Sequence, residues 1–395
     1  MSTLIPPKSK WVVPLISIVT FTGFLDTHLA LPVIALYASS LGAGTGIIGI
    51  IIGLYSVTNT VSNVLFGRLV DRIGYKFPLL GGLMGDAVSM VLYTMCRLPL
   101  QLAAVRAVHG VSGGLVGPAT MSAAANFSGK EKGKTMGIYG MSLAAATFIG
   151  FGLSGILAAK CGYKCVFLFG ATLLLSGIII SLFLPKTKRK YTRELTTIDL
   201  TKIFILKRKE LIIAYSGVFS QYFTLGGIVT LLPLYVAGLH LGAFHVGILL
   251  AIFSITSFVI QIPGGILSDN MGRISLIVVS LCLCAGSLII IPFVVIFSLL
   301  VSAMVLYGIA HGFLFPSISA LIADNANPGE RGIATGIFHA CITIGVAVGA
   351  PITGEIAQIM GTETGLIVIA VVPVCVLVIT LIVQRNLKLF SPEGQ

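Results

Sequence analysis

The sequence predicts an all-α membrane protein with twelve transmembrane helices in two pseudo-symmetric six-helix bundles. Three observations predict it: a composition too apolar for a soluble fold, positive charges confined to alternate loops, and motifs that recur after 198 residues. Of the 395 residues, 56% are apolar and only 10% charged, against about 25% charged in a soluble domain. The mean hydropathy is +1.05, and no water-soluble core hides that much apolar surface.

A span needs about 20 mainly apolar residues, and twelve stretches qualify. The first, 11–35, holds Asp26 near mid-bilayer, followed by Leu31-Pro32. It is too long for a secretory leader and has no small-residue cleavage site behind it, so it acts as its own insertion signal. The second, 46–70, runs into Gly67-x-x-x-Asp71-Arg72-x-Gly74-Tyr75-Lys76, and the third, 77–95, has Asp86 at its middle. The fourth, 100–125, carries Arg106-x-x-His109-Gly110-x-x-Gly113-Gly114-x-x-Gly117-Pro118. Spacings of three and four put Arg106, His109, Gly110, Gly113 and Gly117 on one helix face. The glycines permit close packing, but an Arg roughly 10 Å inside the membrane, at about 1.5 Å per residue, needs a cavity or an anion.

The fifth span, 135–159, is entered through Glu131-Lys132-Gly133-x-x-x-Gly137 and reads Ala146-x-x-x-Gly150-Phe151-Gly152-Leu153-Ser154-Gly155; the sixth is 164–184. Residues 185–209 form a basic linker whose apolar stretch 203–206 suggests a short amphipathic surface helix. In the seventh span, 210–236, Gln221 and Tyr222 precede Gly226-Gly227 and Pro233, a pattern of a flexible or broken helix offering polar contacts. The eighth, 244–268, ends in Gly265-x-x-x-Asp269-x-x-Gly272-Arg273, which repeats the motif behind the second. The ninth is 274–297, and the tenth, 299–322, holds Tyr307 and His311. The eleventh, 332–359, is entered through Glu330-Arg331-Gly332-x-x-x-Gly336, has Gly345-x-x-x-Gly349-Ala350-Pro351-x-x-Gly354, and carries Glu355 toward its outer end; the twelfth is 363–383. The paired motifs imply a duplicated six-helix unit, with an N-terminal bundle at 1–184, the linker at 185–209 and a C-terminal bundle at 210–395.

The net charge of +12 invites a nucleic-acid reading, which the placement of the charges excludes. With the N-terminus cytoplasmic, 21 of the 25 Lys and Arg lie on the cytoplasmic side, three outside (Arg97, Lys160, Lys164) and one, Arg106, within a span. This positive-inside pattern puts both termini in the cytoplasm of a multi-pass cell-membrane protein. The linker's basic residues also favour anionic headgroups, by about 1 kcal/mol each. The seven cysteines have no paired CxxC spacing, so they read as small packing residues and not as a metal or redox site.

The segment Gly67-x-x-x-Asp71-Arg72-x-Gly74-x-Lys76 resembles the loop signature of the major facilitator superfamily, with Tyr75 where Arg is usual. Gly265, Asp269 and Arg273 form its partial repeat. The fourth-span motif resembles the family's R-x-x-Q-G-x-G, with His109 in place of Gln. The resemblance covers the whole chain and is closest to the twelve-helix drug:proton antiporter branch, through the acid of the first span and Leu31-Pro32. The fifth span departs from that branch, since Phe151 stands where antiporters tend to have proline. The resemblance implies that the Asp71 loop is a conformational latch, with Gly67 allowing close helix approach, Asp71 capping a helix N-terminus, and Arg72 and Lys76 binding headgroups or carboxylates. It also implies that the first, fourth, seventh and tenth spans line a central cavity, which ranks Asp26 above Asp86 of the supporting third span.

Charges in spans cost about 2.5–3.5 kcal/mol each on insertion scales, so Asp26, Asp86 and Glu355 are proton-coupling candidates. Arg106 beside Asp26 would make a group whose proton affinity changes with hydration. His109 and His311 suggest a relay. Asp26, Arg106, His109, Gln221, Tyr222, Tyr307 and His311 are the substrate-cavity candidates, and ordinary interhelical hydrogen bonding is the plain alternative for each. The expected function is secondary active transport by alternating access, as proton-coupled efflux of amphipathic small molecules. The alternatives are symport or uniport of an organic anion bound by Arg106, and a non-transporting membrane sensor. An enzyme is not expected, for no nucleophile–base pair or metal cluster is evident, nor is a Walker A sequence. No cofactor or metal is implied. The implied partners of a monomeric chain are a small-molecule substrate, a proton and the lipid bilayer.

Overall fold

The computed structural model describes residues 11–127, 132–186, 209–326 and 331–389. They form α1 (Val12–Ser40), α2 (Thr45–Ile73), α3 (Lys76–Met95), α4 (Pro99–Phe127), α5 (Lys132–Cys161), α6 (Tyr163–Leu182), α7 (Lys209–Gly238), α8 (Ala243–Met271), α9 (Arg273–Ile290), α10 (Phe297–Asn325), α11 (Arg331–Met360) and α12 (Thr362–Leu389). A 3-10 turn, Ile291–Phe293, extends α9. Eleven of the twelve helices are long and apolar enough to cross a membrane. The exception is α4, the helix that carries Gln101, Arg106, His109 and five glycines and prolines between 110 and 118.

The chain divides into two compact units, residues 1–42 with 54–192, and 43–53 with 193–395. In the first, α1 packs on α4, α5 and α6, and α3 on α4 and α6. In the second, α7 packs on α10, α11 and α12, and α9 on α10 and α12. The second unit also contains the first turns of α2, where Thr45 donates to the Gln358 side chain of α11 at 3.1 Å. Its core includes Leu211, Val218, Ile277, Leu314, Ile318 and Phe338. Large apolar side chains such as Leu100, Phe183 and Ile262 are exposed, as expected of surfaces that meet lipid instead of water.

The duplication is visible atom by atom. A Cβ at Gly110 would lie 2.5 Å from the Tyr55 carbonyl oxygen, and one at Gly308 2.8 Å from that of Phe253. At Gly114 and Gly312 the facing carbonyls are Asn59 and Ser257, at 3.0 and 2.8 Å. Each pair of equivalents differs by 198 residues, so glycine sets the α2–α4 and α8–α10 contacts at the same heights, by allowing backbones to approach where no side chain fits. The turns repeat as well: Gly74 (φ 86°) and Gly272 (φ 90°) take the left-handed conformation between α2 and α3 and between α8 and α9, which costs a non-glycine residue about 1–2 kcal/mol.

One expectation is corrected. Gly226 and Gly227 do not break a helix: α7 is continuous, and they seat it against α11 and α12, where added Cβ atoms would meet Val346, Ala350 and Ile369. At Gly67 an added Cβ would meet nothing within 4 Å among the described residues. The linker helix expected at 203–206 lies outside the described residues.

Candidate functional site

The first unit buries a polar cluster. Asp26 of α1, Asp86 of α3, and Arg106 and His109 of α4 are each at most 1% exposed. His109 Nε2 lies 3.0 Å from Asp26 Oδ2 and 3.8 Å from Asp86 Oδ1. Its Nδ1 lies 2.9 Å from the Tyr93 hydroxyl of α3. One orientation satisfies all three groups: the Tyr93 O–H donates to Nδ1, and Nε2–H donates to the Asp26 carboxylate. Ser112, one turn beyond His109, donates to Asp86 Oδ1 at 2.5 Å. Thr27 donates to Asp26 Oδ1 at 3.4 Å and lies 3.1 Å from the Tyr55 hydroxyl.

Asp26 therefore pairs with His109. Among the described residues, no ion pair or hydrogen bond joins it to Arg106, the partner expected from the sequence. The Arg106 guanidinium sits over the Tyr55 ring, 4.5 Å from its centroid, and among the described residues its Nε and Nη1 have no hydrogen-bond partner. Asp86, ranked second from sequence, stands beside Asp26 because α3 packs on α4 as well as on α6.

The ligand-capable atoms of Asp26, Asp86 and His109 lie within 4.8 Å of one another. Two carboxylates and an imidazole are suitable donors for a divalent cation. Arg106 already places a fixed positive charge one helical turn from His109, and that weighs against a second, divalent one.

A cavity of about 220 Å³ opens beside the cluster, lined by Gly23, Phe24, Thr27, His28, Tyr55, Asn59, Asn63, Gly113 and Gly117. None of the four charged or titratable cluster residues lines it. Sequence reasoning missed Thr27, Tyr55, Asn59, Asn63, Tyr93 and Ser112. Only the asparagines left a signal, two amides four residues apart and so on one face of the second span.

The candidates of the second unit form a separate, uncharged group. Thr224 of α7 lies 2.9 Å from the Tyr307 hydroxyl of α10, and Gln221 Nε2 donates to the His311 carbonyl at 3.3 Å. Phe253 stacks on Tyr307 at 4.9 Å and meets the His311 ring edge-on at 5.0 Å. Among the described residues, Ser220 Oγ, Gln221 Oε1 and His311 Nε2 are buried without hydrogen-bond partners. Tyr222 packs on the hydrophobic core of this unit. Glu355 is exposed, with its carboxylate over Gly46.

At the loops, Lys76 donates to the Leu182 and Leu184 carbonyls at 2.6 and 2.5 Å, and the Tyr75 hydroxyl donates to the Pro185 carbonyl. Together they cap the end of α6. Burial pushes the Tyr75 hydroxyl up to about 12. Arg273 pairs with Asp269 and with Asp324, the latter at 3.2 Å. Arg72 is exposed. The Asp71 side chain, Glu131 and Glu330 lie outside the described residues. All seven cysteines are free.

The family profile of the Major Facilitator Superfamily matches residues 16–247 and 214–391. An uncharacterized MFS-type transporter of Methanocaldococcus jannaschii is 26% identical, with 87% of this chain and 90% of that one covered. The Staphyloferrin B transporter of Staphylococcus aureus is 23% identical over 82% and 80% of the two chains. The multidrug resistance protein MdtG of Proteus mirabilis is 27% identical over 79% and 80%. Among solved structures, a bacterial homologue of the human lysosomal transporter Spinster superposes with a TM-score of 0.82 at 14% identity, covering 98% and 99%. The nucleoside transporter NupG does so with a TM-score of 0.79 at 15% identity, covering 95% and 99%; at such identities these two likenesses concern the fold alone.

Proposed function

The chain belongs to the major facilitator superfamily of membrane transporters, and on that premise we propose that it is a proton-coupled exporter of amphipathic small molecules. It works by alternating access in the cell membrane, as a monomer with both termini in the cytoplasm. The name of the MdtG relative supports export of drug-like compounds, and the distribution of Lys and Arg supports the orientation.

One observation carries the proton coupling: a sealed chain of hydrogen bonds from Tyr93 through His109 to Asp26, with Asp86 at its side. With Arg106 charged and one carboxylate ionised the cluster is balanced. A proton on the second carboxylate is one way to hold that balance, since an extra unpaired charge in a dry interior costs several kcal/mol. Protonating Asp26 replaces the charged acceptor of the His109 Nε2–H with a neutral one and so loosens the tie between α1 and α4. That gives the proton a mechanical effect on the two helices that hold it. Simple packing does not demand charge at this place, since the equivalent contact of the second unit, Thr224 to Tyr307, is neutral.

The test is substrate-driven proton movement in proteoliposomes. Wild type is expected to acidify or alkalinise the lumen with substrate flux, and Asp26→Asn to carry substrate down its gradient without proton movement. Full coupling in Asp26→Asn would refute the assignment.

Arg106 favours a second reading, transport of an organic anion by symport or uniport, because its Nε and Nη1 are buried without hydrogen-bond partners among the described residues and guanidinium binds carboxylates in a bidentate fork. In that case Arg106→Lys impairs uptake of carboxylates more than export of cations, and a flux panel of both classes decides between the readings.

A further inference from the structure

The cavity beside the cluster has a chemistry of its own. Asn63 Nδ2 donates to Asn59 Oδ1 at 2.7 Å, which leaves Asn59 Nδ2 as a donor and Asn63 Oδ1 as an acceptor, with no partner among the described residues. Exchanging O and N in both amides leaves the same complement, one unpartnered amide nitrogen and one unpartnered carbonyl oxygen.

The wall facing these two atoms is glycine. A Cβ at Gly113 would lie 2.7 Å from the Tyr55 hydroxyl and 3.2 Å from Asn59 Nδ2, and one at Gly117 3.5 Å from Asn63 Oδ1. The missing side chains keep the donor–acceptor pair open to the cavity. Phe24 supplies an aromatic face, and the remaining polar walls, Thr27, His28 and Tyr55, are hydroxyl and imidazole groups. His28 is held in place by the Phe24 carbonyl at 2.7 Å and by Thr147 at 3.1 Å. No carboxylate, Lys or Arg lines the space. Thr27 and Tyr55, hydrogen-bonded to each other, stand between it and Asp26.

We propose that this cavity binds an uncharged, flat head group that carries a hydrogen-bond donor next to an acceptor, such as an amide, lactam or pyridone edge. The proposal rests on the transport reading above and names the cargo chemistry of that site. At about 220 Å³ the cavity is smaller than the ~300–1,000 Å³ typical of whole drug-sized ligands, so it takes the polar head of an amphipathic molecule and leaves the tail outside. On the coupling reading Asp26 carries the proton, and Thr27 and Tyr55 close it off from the head group.

The test is equilibrium binding to the full-length protein in nanodiscs, without a pH gradient, so that it stands apart from proton coupling. The probes are 2-quinolinone, its N-methyl derivative, which lacks the donor, and the cation N-methylquinolinium. The expected result is that 2-quinolinone binds at least about fivefold more tightly than the N-methyl derivative, the size of one hydrogen bond. Asn59→Ala and Asn63→Ala should each erase that difference, and Gly113→Ala should weaken both neutral probes. Equal binding of the two neutral probes by wild type, absence of binding by either, or tighter binding of the cation that Asp26→Asn abolishes would overturn the proposal. These wild-type comparisons hold even if a variant fails to fold. Substrate flux without proton movement in wild type, with the lactam preference intact, would fault the coupling reading and leave this one standing.

Discussion

A carboxylate tied to an imidazole and sealed from water keeps its geometry only while every partner is present. Tyr93 completes the chain by donating to His109 Nδ1, and Tyr93→Phe leaves that nitrogen buried without a donor. The expected cost is about 1–3 kcal/mol of stability, read as a lower unfolding temperature in detergent. His109→Gln, which restores the residue usual in the family motif, is expected to keep substrate counterflow and to change the pH profile of transport. Asp86→Asn preserves the Ser112 contact and removes the second acid, so gradient-driven transport should lose its pH acceleration while counterflow persists. An unaltered pH profile in Asp86→Asn would leave Asp26 as the only proton carrier. Asp86 rises in rank because its carboxylate shares the His109 nitrogen with Asp26, a proximity that spans 26 and 86 do not announce in the linear chain.

Between helices the decisive residue is glycine, and its effect depends on what faces it. At Gly308 a Cβ would lie 2.8 Å from both the Phe253 carbonyl and Thr256 Cβ. Gly308→Val should therefore force α8 and α10 apart and cost about 1–3 kcal/mol, the range for overpacking. Gly137 and Gly336 are the internal controls: a Cβ at either meets nothing within 4 Å. Alanine there should be neutral or stabilise by roughly 0.5–1 kcal/mol, the helical cost of glycine. Thermal unfolding of the three variants separates the two classes. If Gly308→Val unfolded no earlier than wild type, the helix contact would not be set by backbone approach. The sequence motifs showed where glycines cluster; they did not show that Gly226-Gly227 seats a continuous helix while Gly67 faces open space, because a glycine is read only through its neighbour.

Across the whole chain, the duplication has kept geometry and divided chemistry. With the offset of 198, Asp26, Asp86 and His109 correspond to Thr224, Cys284 and Tyr307, and the Asp26–His109 contact of 3.0 Å has its counterpart in the Thr224–Tyr307 contact of 2.9 Å. The first unit holds the ionisable groups and the second a neutral copy of the same contact. Thr224→Val is thus expected to lower stability and leave the proton-to-substrate ratio unchanged, whereas Asp26→Thr should abolish proton movement; flux measurements on both variants check the division. The sequence by itself determined the membrane environment, the twelve helices, the internal repeat and the family, because hydropathy, charge placement and turn glycines are local or periodic signals. Only the tertiary structure decided that His109 and not Arg106 is the partner of Asp26, that Asp86 joins them, and that paired asparagines border an uncharged cavity beside a sealed acid. Those facts depend on which faces of separate helices meet, and helix packing within a lipid-embedded fold is fixed by side-chain fit, which no single stretch of sequence contains.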